Sequence, residues 1–401
     1  MLFRGILIAL GLFCVSSGLC TTYFVSPAGN DANSGTSPGA AFATIQHASD
    51  IVVAGDSVIV LAGAYTGFNV ATSGTSLNPI VFLGEPGAEI TAPTFTMDGI
   101  NVEGADYIEI NGFVVNDQPR NGIRLVNADW CIVRNCTCDN NFERGIFTGF
   151  TDDILIENNV CSNSIDEHGI YVSNSSDRSV IRFNTCFGNN RGGIQINADL
   201  SQGGDGISTD PEIYGNVLFS NGLGGGAAIN LDGVQGAFIY NNVLYNNHAT
   251  GIALFQQDGG GPSVNAQIVH NTIVQAVDGR WCILLVDGAS GAQIYNNILF
   301  NQHPWRGSIA ADPDATPGLT SDYNLVVDSF SDMGDGVSIP LSDWQALGYD
   351  LNSALADPLA LLFVDPASGD FHLLPGSQAV DNGNGLLALG VTTDIDGNLR
   401  P

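Results

Sequence analysis

The chain has 401 residues, 44% of them hydrophobic, which is enough to bury a core and excludes a disordered polymer. Its formal net charge is −30, from 41 acidic against 11 basic residues, and every basic residue is an arginine. Nucleic-acid binding needs clustered cations to neutralise phosphates, so that partner is excluded; the acidity suits a solvated extracellular surface, or carboxylates that hold Ca²⁺.

The first residues carry one cation, Arg4, then an uncharged apolar run over 5–15, then Ser16, Ser17 and Gly18 before Cys20. That is the layout of a signal peptide, too short to span a bilayer, and no later stretch approaches the roughly 20 apolar residues a spanning helix needs. Residues 1–20 are therefore expected to be removed, leaving a secreted or periplasmic protein without a transmembrane segment. Ser17-Gly18-Leu19 lacks the leucine-then-small pattern expected before a lipidated cysteine, so Cys20 is read as lying near an ordinary cleavage point.

Residues Phe42 to Val52 read as a short amphipathic helix with Ile45, Ala48 and Val52 on one face, followed by a strand from Ser57 to Ala62. From about residue 99 the sequence realigns on itself. The units open at Gly122-Ile123, Gly145-Ile146, Gly169-Ile170, Gly193-Ile194, Ala228-Ile229, Gly251-Ile252 and Cys282-Ile283, with spacings of 23, 24, 24, 35, 23 and 31. Two spacings contain insertions, Asp199 to Pro211 and Asp258 to Asn265, rich in Gly and Asp and read as loops.

Within each unit apolar residues alternate at period two, as strands require. The isoleucines, and Leu125, Thr148, Val172, Ile196, Leu231, Leu254 and Leu285 two residues on, should point inward. Between them Arg124, Phe147, Tyr171, Gln195, Asn230, Ala253 and Leu284 should point outward. A second strand supplies another inward column of Val133, Ile156, Ile181, Ile213, Ile239, Ile268 and Ile294. Three residues later stand Cys136, Asn159, Asn184, Asn216, Asn242, Asn271 and Asn297, a column in which stacked amides can satisfy the backbone at a corner. Two residues further come Cys138, Cys161 and Cys186, then Leu218, Leu244, Ile273 and Leu299. Their spacing matches no short zinc motif, so they are read as a buried stack; adjacent coils about 4.8 Å apart would also permit a cross-coil disulfide.

These periods predict an all-β protein, a single-stranded parallel β-helix whose coils stack as a solenoid. A solenoid exposes its core at the first coil, so the early helix is expected as a cap. Residues 21–401 are read as one domain: 21–98 as N-terminal cap and first coils, 99–304 as regular coils, 305–401 as C-terminal coils and irregular cap. In the last part, Ser321 to Val327 and Asp370 to Leu374 read as strands and Ser342 to Leu347 as a short helix.

The repeats resemble those of the pectate-lyase-like superfamily of right-handed parallel β-helices. The opening Tyr23-Phe24-Val25-Ser26-Pro27-Ala28-Gly29-Asn30-Asp31, with Gly35-Thr36, Ala43-Thr44-Ile45 and Ala54-Gly55-Asp56, resembles the start of many secreted members. So does the close, Phe363-Val364-Asp365-Pro366, Gly369-Asp370-Phe371-His372-Leu373 and Asp394-Ile395-Asp396-Gly397-Asn398. The resemblance implies action on, or binding of, an extracellular polysaccharide, by a monomer; the superfamily includes lyases, hydrolases, epimerases and proteins without activity.

Chemistry is expected on the outward face of the opening strands, where an extended glycan fits. Tyr171, Gln195 and Asn230 form one line there, Ser173, Asn197 and Asp232 the next, with Phe147 and Phe255 beside them. Glu143, Glu167 and Arg191 stand two residues before their dipeptides, and Arg144 and His168 one before. Arg144, Gln195, Asn197, Asn230 and Phe255 are the expected substrate-binding residues.

A uronate lyase needs a base beside the uronate carboxylate and a cation for the developing charge. His168, Tyr171 or Arg191 are the candidates for the base, and Asp199, Asp205 and Asp232 for Ca²⁺ ligands. A lysine base, which some members of the superfamily use, is excluded by composition. A hydrolase needs two carboxyl groups, with Asp232 and either Asp205 or Asp199 as the pair; Gly204-Asp205-Gly206-Ile207 faintly resembles a polygalacturonase segment. A noncatalytic carbohydrate-binding protein is the third reading. The C-terminal Asp394-Ile395-Asp396-Gly397-Asn398 is read as an Asx turn in preference to a Ca²⁺ loop.

Overall fold

The computed structural model describes residues 20–400, so all of the expected signal peptide but Cys20 lies outside the described residues. Each coil contributes up to three short strands: the opening strand that carries the Gly-Ile dipeptide, a second, and a third. Stacking turns these into three parallel sheets, of eleven, twelve and twelve strands. Ile123, Ile146, Ile170, Ile194, Ile229, Ile252 and Ile283 are successive register partners with no exposed surface. The second-strand column from Val133 to Ile294 is equally in register and equally buried. One place breaks the apolar rule: Thr148 points inward, and its Oγ1 is buried without a hydrogen-bond partner.

The corner between second and third strands explains the asparagine column. Each coil turns there through a residue in the left-handed region, with φ of 55° at Asn158, 53° at Asn241 and 57° at Asn296. Asparagine and glycine tolerate that conformation best. The next residue is the buried asparagine: Asn216 donates to the Ile181 carbonyl at 2.9 Å and to Asn242 Oδ1 at 3.0 Å, while its own Oδ1 accepts the Asn184 backbone N–H at 2.9 Å. The ladder extends one coil past the predicted column, to Asn324.

The third-to-opening corner carries a second ladder that the repeat alignment did not reveal. Asn189 accepts from Ser164 N–H at 3.0 Å, Asn221 from Asn189 N–H at 3.1 Å and Asn247 from Asn221 N–H at 3.0 Å. Its members stand at unequal distances from the next opening dipeptide, because this turn changes length from coil to coil.

Cys138, Cys161 and Cys186 are stacked register partners, fully buried, and none of the described cysteines is bridged. The Cys138 thiol is pushed up by hydrogen bonding to Cys161 and by burial, as befits an inert core side chain.

The early helix spans Ile45–Ile51, shorter than the apolar pattern suggested, because Thr44 caps it by accepting the His47 N–H while Phe42 still pairs with Val25. It packs against strands Thr22–Val25, Ser57–Val60 and Phe68–Val70. Near the other end, the predicted strand from Ser321 to Val327 is two strands, Thr320–Asp322 and Leu325–Val326, broken by the corner at Asn324. Helix Leu341–Ala346 buries Trp344 against Phe330. Strand Asp370–Leu373 does not join the solenoid; it pairs antiparallel with Phe363–Asp365. The tail then runs back across the asparagine corner, where Asn384 meets Asn296 and Thr393 meets Asn241. Among the described residues no helix is long and apolar enough to cross a membrane.

Candidate active site

The outward column of the opening sheet forms the floor of a groove, with Phe147, Tyr171, Gln195 and Asn230 on successive coils. One wall is the turn that precedes the opening strands. The other is made by the two insertions, which meet: Leu200 N–H donates to the Asp258 carbonyl at 3.0 Å and Gly260 N–H to the Gly206 carbonyl at 2.7 Å. Gly233 lies between them with φ of 71°, and a Cβ there would come within 2.9 Å of Gly259 Cα, so only glycine lets the loops close.

Arg144 fills the first wall. It pairs with Glu143 at 2.7 Å and Glu167 at 2.6 Å, and its guanidinium carbon lies 4.9 Å and 4.8 Å from the ring centroids of Phe147 and Tyr171. With two carboxylates and two rings around it, Arg144 positions the Tyr171 ring and is not free to grip a substrate. Glu167 turns to Arg144 and not to Arg191, its neighbour on the next coil. Arg191 is exposed and makes no ion pair among the described residues. Burial raises the pKa of Glu167 against the pull of Arg144.

His168 is buried, and its Nδ1 accepts the Gly192 backbone N–H at 2.9 Å. Burial, then the charges of Arg144 and Arg191, lower its pKa to about 3. The imidazole expected from sequence to titrate near neutrality is therefore neutral there, with its hydrogen on Nε2. It can donate a hydrogen bond but has no free lone pair for a base.

Tyr171 is held on the groove floor from several sides. Its phenolic oxygen accepts from Asn197 Nδ2 at 3.0 Å, and its ring stands edge-on to His168 and to Phe147. Burial raises its pKa, while the Asn197 hydrogen bond and the Arg144 charge pull the other way. Asn197 also donates to Asp258 Oδ2 at 3.2 Å, and its own Oδ1 is buried without a partner. A run of contacts thus leads from Glu167 to Arg144, whose guanidinium lies over the Tyr171 ring, and from the Tyr171 hydroxyl through Asn197 to Asp258. Sequence reasoning missed Asp258 as a site residue, since its only signal was the start of an insertion. Gln195 and Asn230 pair with each other at 2.6 Å, and Phe255 is half-buried at the end of its strand, beside Asp232.

The aspartates fall elsewhere than expected. Asp232 is buried, and its carboxylate accepts three backbone N–H groups, from Gln257 at 2.9 Å, Asp258 at 2.8 Å and Gly259 at 3.2 Å. It clamps the second insertion. Asp199 caps the turn Leu200–Gln202 through Ser201 N–H, and Asp205 accepts the Ile207 N–H at 3.0 Å in an exposed turn. Asp199, Asp205 and Asp232 are not gathered into a cluster: among the described residues no group of three or more His, Cys, Asp or Glu is arranged to hold a metal ion. The C-terminal Asp394 accepts from Asp396 and Asn398 N–H groups, which is an Asx turn.

Stacked parallel coils with corner ladders and a walled polar groove define a β-helix protein. The sequence matches the family model described as Pel9A-like, right handed beta helix region over residues 23–169, and the right handed beta helix region model over residues 98–273. The chain is a right-handed parallel β-helix protein, matched over parts of its length by these two right-handed β-helix models. Comparison with curated proteins gives no match. Among solved structures it is similar to pectate lyase Pel9A, with a TM-score of 0.59 and 14% identity over 91% of this chain and 92% of that one. A rhamnogalacturonan lyase gives a TM-score of 0.53 with 15% identity over 69% and 82% of the two chains. An alginate lyase from Paenibacillus sp. str. FPU-7 gives a TM-score of 0.50 with 20% identity over 66% and 93%. At these identities the likeness is one of fold.

Proposed function

We propose that the protein is a secreted polysaccharide lyase that eliminates across a uronate linkage of a glycan lying in the groove. The observation that carries this reading is the Tyr171 hydroxyl, held by Asn197 and backed by Arg144, on a ring that meets His168, whose pKa is in turn lowered by Arg191, an exposed arginine with no ion pair among the described residues. In the reaction the Tyr171 phenolate removes the proton next to the uronate carboxylate. The electron pair forms the new C=C bond as the glycosidic C–O bond breaks, and the tyrosine hydroxyl returns its proton to the departing oxygen. Arg191 faces the uronate carboxylate, and His168 Nε2–H supplies a neutral donor for the developing charge.

Hydrolysis is a second reading with a carboxylate pair other than the expected one. Glu167, whose pKa burial raises, and exposed Asp258 stand at the two ends of that run of contacts, and a hydrolase would need their carboxyl groups about 5 to 9.5 Å apart. The test is incubation with a panel of uronate polymers, with and without added Ca²⁺. Ultraviolet absorbance from unsaturated ends supports the lyase. New reducing ends without that absorbance support the hydrolase, and binding with neither product leaves a noncatalytic glycan-binding protein; both results overturn the lyase reading.

A further inference from the structure

A cavity of about 580 Å³ lies on the corner of the solenoid opposite the groove, under the returning tail. Three successive coils present Asn241, His270 and Asn296 there, each in the left-handed conformation. The outer two are zipped to the tail. Asn241 donates to the Thr393 carbonyl at 2.7 Å and accepts from Arg400 at 2.8 Å; Asn296 donates to the Asn384 carbonyl at 3.2 Å and accepts the Asn384 N–H at 2.8 Å. An asparagine on the middle coil would have the same backbone conformation and the same opportunity to pair. His270 stands there instead, the tail arches between its two anchors, and the imidazole Nε2 is buried without a hydrogen-bond partner.

Arg400 lines the same cavity. Among the described residues Arg120, Arg124, Arg134, Arg144, Arg178, Arg182 and Arg306 pair with carboxylates; Arg191, Arg280 and Arg400 do not, and of these three Arg400 alone is half-buried, donating to the Thr393 carbonyl and Asn241 Oδ1. Burial lowers its pKa, opposed by the charge of Asp394. The carboxylates in the lining have other engagements: Asp394 accepts from Asn398 and Asp396, Asp396 faces His372 Nε2 at 3.1 Å, and Asp381 is exposed to solvent. A half-buried guanidinium and an imidazole with an unused buried nitrogen thus line one cavity, and among the described residues no carboxylate is hydrogen-bonded to either. The volume suits a small ligand, since such sites run from about 300 to 1,000 Å³. Amides, backbone carbonyls and the half-buried Phe371 ring in the lining suit the hydroxyls and apolar face of a sugar.

We infer that this cavity is a second ligand site, separate from the groove, that takes a sugar acid of one or two residues with its carboxylate on Arg400 and His270. The inference does not depend on the reaction proposed for the groove. Burial and the charge of Arg400 hold His270 at a pKa of about 3, and a bound carboxylate would raise it.

Titration calorimetry on the full chain tests this with glucuronate and galacturonate as probes and with galactose and inorganic phosphate as controls. The His270→Asn variant restores the side chain of the neighbouring coils and suits the backbone, so it is expected to melt no lower than the parent. Arg400→Gln removes the charge. Saturable uronate binding that weakens tenfold or more in both variants, and that neither galactose nor phosphate reproduces, is the expected result. Absence of saturable uronate binding overturns the inference, as does equal binding of galactose or phosphate. Uronate binding unchanged in both variants also overturns it, because the ligand then sits elsewhere, the groove included.

Discussion

The side-chain nitrogen of Asn197 lies 3.0 Å from the phenolic oxygen of Tyr171, joining the groove floor to the loop that carries Asp258. If Tyr171 moves the proton, Tyr171→Phe keeps the ring between Arg144 and His168 but removes the chemistry. The expected loss in kcat is on the order of 10²- to 10⁴-fold, with an unchanged circular-dichroism melt. Retention of more than a tenth of the parent rate would remove Tyr171 from the mechanism.

The same contact sets a pH dependence. Burial raises the Tyr171 pKa, so the phenolate fraction and the rate should climb as pH rises above neutral. Asn197 donates to that oxygen and lowers the pKa, so Asn197→Ala should move the rising limb to higher pH. A pH–rate profile checks this; a limb that stays in place while kcat falls would mean that Asn197 only shapes the groove.

His168 makes a stability prediction. Its folded pKa, about 3, lies below its ordinary 6.5. Between those values the unfolded ring binds a proton and the folded one does not. Its contribution is therefore fully present above about pH 6.5 and is lost as pH falls toward 3, at about 1.4 kcal/mol per pH unit. In His168→Gln, whose amide oxygen can still accept the Gly192 N–H, urea unfolding should show an acid limb shallower by about one proton. An unchanged slope would show that the ring is protonated in the folded state.

Asp232 separates a structural from a catalytic carboxylate. As a clamp on three backbone N–H groups, its replacement by asparagine should loosen residues 256–263 and expose them to limited proteolysis, while activity falls less than tenfold. Loss of activity by 10³-fold or more with the loop still protected would return Asp232 to the chemistry.

Asn216, itself out of contact with water, donates to Ile181, Tyr214 and Asn242 while accepting from Asn184. Asn216→Ala would orphan several buried groups, each costing about 1–3 kcal/mol, and should lower the chemical-denaturation midpoint strongly. Exposed Glu89→Ala, at a position outside the left-handed region, serves as the control, with an expected change within about 0.5 kcal/mol.

The solenoid was legible because one coil predicts the next. Period-two alternation decides which face is buried, and a near-constant repeat places Ile123 over Ile146 and Asn159 over Asn184, so columns in the sequence become stacks in space. The second ladder escaped the alignment because a variable turn separates Asn221 from its dipeptide by more residues than it does Asn189. At the site, the residue types on the groove floor were readable, whereas their partners were not. Glu167 had two arginines on adjacent coils within reach, and only side-chain packing between two rings selected Arg144.

By itself, the sequence determined the parallel coil, its inward columns, its first asparagine ladder and the face on which the groove lies, since all of these follow from local alternation repeated along one axis. Tertiary structure alone decided that Asp232 is consumed by its own loop, that Asp258 reaches Asn197, and that the tail leaves His270 unpartnered. Those outcomes depend on how loops of unequal length close in space, as between Asn296 and Asn384 across 88 residues, and no repeat period encodes that distance.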